Sequence, residues 1–199
     1  MKKTYRKDLL QSVTASKGRF ASILTLMMLG SLALVGLKVA SPNMERTAED
    51  YLRKANNLDL AVIADYGLDK EDQDELKTLQ GASVEFGYMA DLTVENSEEA
   101  VRLYSKPEGI STFQVTEGRL PEADEEIALA DFWKDRYQIG QTITFTKKEE
   151  GKSVLKSQTF TITGFVQSGE MFSQKDLGGA SSGNGSLAGY GVILASQFD

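Results

Sequence analysis

The stretch "KGRFASILTLMMLGSLALVGLKVASPN" (17–43) decides what the rest of the chain can be. Residues 20–37 carry no charged side chain over 18 positions. As a helix they span roughly 27 Å, close to the hydrocarbon thickness of a bilayer. A buried core helix would need a polar face, and Ser22, Thr25 and Ser31 are too few and too small to make one. The segment "LKVAS" (37–41) offers small residues near a signal-peptide cut. Yet the basic head before the apolar run is long, and the run itself exceeds the usual proportions of a signal peptide. The sequence therefore predicts a retained transmembrane helix over residues 20–40, with Lys38 snorkelling at its far end. Basic residues crowd the N-terminal flank and place that end in the cytoplasm. Residues 1–19 then form a cytoplasmic basic segment. Its Leu9, Leu10 and Val13 suit either an amphipathic helix on the inner leaflet or a disordered basic anchor.

Charge divides the chain at the same place. Residues 1–40 hold seven Lys/Arg and one acid, Asp8, leaving 15 of the 22 basic and 28 of the 29 acidic residues for the remainder. A head of net +6 before a body of net −13 reads as membrane topology. So acidic a body lacks the basic face that nucleic acid requires, and none is expected as a partner. The chain has no cysteine and no histidine, which excludes disulfides, thiol nucleophiles, the usual zinc ligands and Ser-His-Asp chemistry.

Residues 41–199 are long enough for one domain with its own core. Pro42-Asn43 is expected to end the span and open a second helix, in which Met44, Ala48, Tyr51, Leu52 and Ala55 recur at helical spacing. "DLAVIADYG" (59–67) alternates and predicts a strand. "LDKEDQDELKTLQG" (68–81) predicts a helix with Asp69 as N-cap and Gly81 as C-cap. The five acids of that helix do not follow the register of a calcium loop and read as a solvated face with favourable dipole charges. Strands are predicted over 83–95 and 100–105, an extended run into a turn at Gly118 over 111–121, and a short helix around Asp131–Arg136, with Trp133 as a packing residue. "QTITFT" (141–146) and "QTFTITGFV" (158–166) alternate with Ile143, Phe145, Phe160 and Ile162 on one face, and predict a β-hairpin turning through "KKEEGK" at Gly151. "GGASSGNGSLAGYG" (178–191) lacks the GKS or GKT of a phosphate loop and reads as a flexible Gly/Ser loop. A last strand is expected around Ile193 and Leu194.

Three stretches, taken in order behind the span, carry a resemblance. The skeleton of "LDLAVIADYGLDKEDQDELKTLQG" (Asp59, Gly67, Leu68, Glu71, Asp72, Leu76) is similar to the segment after the first span of FtsX-like or MacB-like ABC transporter permeases. "EGRLPEADEEIALADFWKDRYQIGQTITF" resembles their periplasmic-core pattern, and "FTITGFVQSGEMFS" the strand that closes it. The resemblance implies an α+β fold: one N-terminal transmembrane helix followed by a mixed α/β extracytoplasmic domain, residues 41–199, with a C-terminal β-hairpin. It implies a permease subunit that couples ATP hydrolysis on a separate ATPase subunit to movement of the external domain, for export of lipids, peptides or antibiotics. Its partners would be that ATPase, the lipid bilayer and a second permease copy. The family continues into further spans, so the chain is expected to be an N-terminal portion of a longer permease. The other reading of these residues is a single-span surface protein whose acidic domain binds a ligand or partner. No catalytic, cofactor-binding or metal-ligating residue is nominated, no cofactor is expected, and no enzyme is predicted.

Overall fold

The computed structural model describes residues 5, 7, 11, 15–64, 67–146, 154–171, 175 and 177–199. They divide into two units, residues 1–50 and residues 51–199.

The first unit is dominated by helix α1 (Lys17–Ala55), 39 residues long, whose last residues belong to the second unit. Its apolar window is wholly exposed, with no protein packed over it. Side chains such as Leu26, Leu32, Leu34 and Leu37 are therefore not the buried stripe of a soluble core. Ser22 turns its hydroxyl back on the Gly18 carbonyl at 3.0 Å. That bond satisfies the polar group without water. Among the described residues this is one helix long and apolar enough to cross a membrane, and it lies near the N-terminus. The expected break at Pro42-Asn43 does not occur: the helix runs through Pro42. Proline removes one main-chain donor, and the strong helix formers on both sides (Lys38, Ala40, Met44, Glu45) carry the helix past it.

The second unit is a closed six-stranded β-barrel with a seventh strand attached. Its strands are β1 (Met89–Val94), β2 (Ala100–Ser105), β3 (Gln114–Gly118), β4 (Glu126–Ala130), β5 (Thr142–Thr146), β6 (Thr159–Gln167) and β7 (Leu187–Ile193). Round the ring the order is β6-β4-β7-β2-β1-β5, and β5 pairs back onto β6. The β2–β7 and β4–β6 pairs are parallel, and the others in the ring are antiparallel. The length of β6 makes closure possible. Its first half pairs β5 through Thr159–Thr161, and further along it pairs β3 through Gly164–Gln167, while β4 runs along its other side.

Alternation along the strands sorts side chains between two layers. Leu92, Val101, Leu103, Ile127, Leu129, Ile143, Phe145, Phe160, Ile162 and Ile193 belong to one buried cluster. Ala128, Ala130, Val166, Tyr190 and Val192 form a second, covered by Phe113, Phe132 and Met171. Trp133 packs as expected: it is 4% exposed and lies so close to Gly189 that a β-carbon there would stand 2.7 Å from its ring.

Several boundaries differ from the sequence reading. Residues 141–146 and 158–166 do yield β5 and β6, paired with Ile143 opposite Phe160. They are staves of the barrel, however, not a C-terminal hairpin, because β5 also pairs β1, β6 also pairs β3 and β4, and β7 follows. The turn "KKEEGK" with Gly151 lies outside the described residues. Residues 59–64 form no strand, since alternation specifies a face but supplies no partner. Helix α2 (Lys70–Lys77) is shorter than expected, ending at Thr78 rather than at Gly81. Its N-terminus is as read: Asp69 and Asp72 form a reciprocal capping box. The helix expected at Asp131–Arg136 is a single 3-10 turn, Asp131–Trp133. Of the expected loop 178–191, residues 187–191 belong to β7, whose glycines let neighbouring side chains approach: a β-carbon at Gly191 would stand 2.9 Å from Ile127 Cδ1.

Candidate functional site

The last residues of α1 and the barrel loops around them form the most extensively bonded polar cluster among the described residues. The helix ends in a Schellman motif. Asn56 takes a left-handed conformation, with φ 48. Its amide donates to the Arg53 carbonyl at 3.2 Å, and the Asn57 amide donates to the Leu52 carbonyl at 3.3 Å. Asparagine suits that position because it tolerates positive φ better than most residues with a side chain. The Asn-Asn pair at 56–57 is the sequence signal for this helix end, and the sequence reading missed it.

Two barrel loops then clasp the helix end. From residues 109–112, the Thr112 amide and hydroxyl donate to the Ala55 carbonyl at 2.8 and 3.1 Å, and the Ser111 amide donates to the Asn56 carbonyl at 2.9 Å. In return the Asn56 side-chain amide donates to the Gly109 carbonyl at 2.7 Å, and the Leu58 amide to the Ser111 hydroxyl at 3.0 Å. From residues 168–169, the Ser168 and Gly169 carbonyls accept from the Tyr51 hydroxyl at 3.3 Å and the Asn57 side-chain amide at 2.7 Å. Burial pushes the Tyr51 phenol up, which keeps it a donor. Ala55 is fully buried at the centre. The Ala55 carbonyl, which would otherwise be orphaned, is thus answered by the amide and hydroxyl of Thr112.

The 108–110 segment is held from its other side by Glu85. Its carboxylate accepts from the amides of Glu108, Gly109 and Ile110 at 2.6, 3.0 and 2.7 Å. Burial would push the Glu85 carboxyl up, but the three main-chain donors outweigh it and hold it below the usual range.

A second cluster fixes the 178–186 loop. Arg102 makes a two-pronged ion pair with Asp91 across β1 and β2, at 2.6 and 2.9 Å, and donates to the Gly179 carbonyl at 3.1 Å. The Ser181 amide donates to Asp91 Oδ2 at 2.8 Å. Burial would push the Asp91 carboxyl up; the bonds from Arg102 and Ser181 prevail and hold it below the usual range. With its oxygens engaged in this way, Asp91 is a latch rather than a base. A third cluster staples the turn after β3: Arg119 pairs with Glu126 through both its terminal nitrogens, while the amides of Glu122 and Ala123 also donate to Glu126. These bonds, led by that from Arg119, hold the Glu126 carboxyl at about 2.

The acids of α2 stay apart from these clusters. Asp69 and Asp72 cap the helix and Asp74 pairs with Lys77 at 3.2 Å, so they form a solvated face. Among the described residues no group of three or more Asp/Glu is placed to hold a metal ion.

No protein-family model, no curated protein and no solved structure matches this chain.

Proposed function

We propose that the chain is a permease component of the FtsX-like or MacB-like ABC transporter type. In this reading α1 is a retained span with its N-terminus in the cytoplasm, and residues 41–199 are extracytoplasmic. A separate ATPase subunit would move the span, and the span would move the barrel. The observation that carries this reading is the continuity of α1, whose exposed apolar window runs on as helix into the second unit. Within that unit its last residues are bonded to two barrel loops through Tyr51, Ala55, Asn56, Asn57 and Leu58. The positive flank of α1 supports the orientation, and its exposed apolar surface is suited to lipid.

Topology and partnership are tested together. Cells carrying the chain with a C-terminal tag are fractionated, and the tag is probed with protease from outside intact spheroplasts. The expected result is a membrane-bound tag that is cut from outside, and co-purification of an ATPase with the tagged protein. Soluble tagged protein lacking residues 1–40 would mean a cleaved signal sequence and would overturn the reading. A membrane-bound, externally cut chain with no ATPase partner would favour a single-span surface protein with a ligand-binding domain.

A further inference from the structure

The loop between β2 and β3 is bonded on two sides at once. On one side, the amides of Glu108, Gly109 and Ile110 converge on the Glu85 carboxylate. On the other, the Gly109 carbonyl accepts from the Asn56 side chain, and the Ser111 and Thr112 amides donate to the carbonyls of Asn56 and Ala55. Ser111 stands where the two sides meet, and its φ is 53. Few residues other than glycine adopt that conformation unless their surroundings over-determine it. Here the Glu85 carboxylate fixes the main chain just before Ser111, and the end of α1 holds Ser111 and Thr112 themselves.

Three successive amides turned to one side make a concave seat for an anion, and a carboxylate fits such a seat. Glu85 reaches it from residues 82–88, which form no helix or strand and follow α2. That segment is fixed to the barrel at its far end. There the Tyr88 amide donates to Ser105 Oγ at 2.8 Å, and the Tyr88 carbonyl accepts from the Ser105 amide at 2.9 Å. Among the described residues, the hydrogen bonds between this segment and residues 108–110 all end on the one carboxylate. We propose that residues 108–110 are a carboxylate seat, that Glu85 is its resident ligand, and that filling the seat is coupled to the clasp on the end of α1. Glu85 is then a positioning residue, acting on the helix end through residues 109–112. Release of the carboxylate lets the loop relax and loosens the clasp. Loosening the clasp from the helix side weakens the seat by the same coupling energy. This inference concerns the second unit by itself and does not rest on the permease reading.

The test follows amide hydrogen exchange in the full chain, held in phosphatidylcholine nanodiscs. Glu85→Ala is expected to speed exchange at residues 108–110 about tenfold or more, as bonds to a charged acceptor are lost. Exchange at Ser111, Thr112 and residues 56–58 is expected to rise with it, while the protection of strands β4 to β7 is unchanged. At constant ionic strength, acetate is expected to slow both sets again in the variant, and acetamide, its neutral isostere, to slow neither. From the other side, Asn56→Gly keeps the positive φ of the helix end and removes the bond to Gly109. It is expected to speed exchange at residues 108–110. Faster exchange confined to residues 108–110 in Glu85→Ala, with residues 56–58 unmoved, would overturn the proposal, since Glu85 would then be a local staple. So would unchanged exchange at residues 108–110 in either variant, failure of acetate to restore protection, or acceleration spread evenly over the β-strands.

Discussion

The Asn57 side-chain amide donates to the Gly169 carbonyl at 2.7 Å, and that contact exists because residue 169 has no side chain. A β-carbon at Gly169 would collide with Asn57 Oδ1. The first residues beyond α1 and the loop after β6 are therefore interlocked at a point where only glycine fits.

Gly169→Ala is expected to push the Asn57 amide out of its seat and to speed amide exchange at residues 55–58 and 109–112. The cost is about 1–3 kcal/mol, the usual range for overpacking. Hydrogen exchange by mass spectrometry checks it. Unchanged exchange at those residues would show that the joint does not depend on this approach.

Asp91→Ala is expected to leave Arg102 half-buried without its carboxylate and to free residues 178–186 from β1. The stability loss is about 3 kcal/mol or less, because a partly exposed pair is weakened by solvent relative to a fully buried one. Limited proteolysis is expected to cut first within residues 178–186 of the variant.

Phe160→Asp is expected to place a carboxylate in the barrel core, where Phe160 is fully buried and its ring lies 6.2 Å from that of Phe145. Burial of an unpaired charge costs several kcal/mol, so the barrel's cooperative melt should be lost or moved far down in temperature. A melt like that of the parent would contradict the placement of β6.

Acid is expected to unlock the Arg119–Glu126 staple. The Glu126 carboxyl lies at about 2 in the folded chain against an ordinary value of 4.5. A carboxyl lowered in this way adds stability that is complete above its unfolded value and is lost as pH falls through its folded one. The stability difference between the parent and Glu126→Gln should therefore narrow as pH is lowered from about 5 to about 2. Denaturant melts across that range check the sign, and a widening difference would refute it.

Local chemistry was legible wherever its partners are close in sequence or its signal is periodic. The apolar run of α1, the Asp69 cap, β2 over residues 100–105, and the matched faces of Ile143, Phe145, Phe160 and Ile162 follow from charge, capping and alternation. The Asn56-Asn57 helix end was legible in principle, since an asparagine at positive φ is a familiar stop, but it only matters once the barrel loops meet it. No residue-level pattern announced that Glu85 would be held by the amides of residues 108–110.

By itself the sequence determined that one long apolar helix precedes an acidic domain rich in strands, because charge and side-chain period are properties of neighbouring residues. Only the tertiary structure decided that those strands close into a barrel, that β7 enters between β4 and β2, and that β6 serves three neighbours. It also decided that residues 59–64 stay outside the sheet while the alternating runs at 141–146 and 158–166 find partners. The physical reason is that a strand's face is written in its own side chains, whereas its partner is chosen by the competition of distant main-chain edges, which no local pattern records.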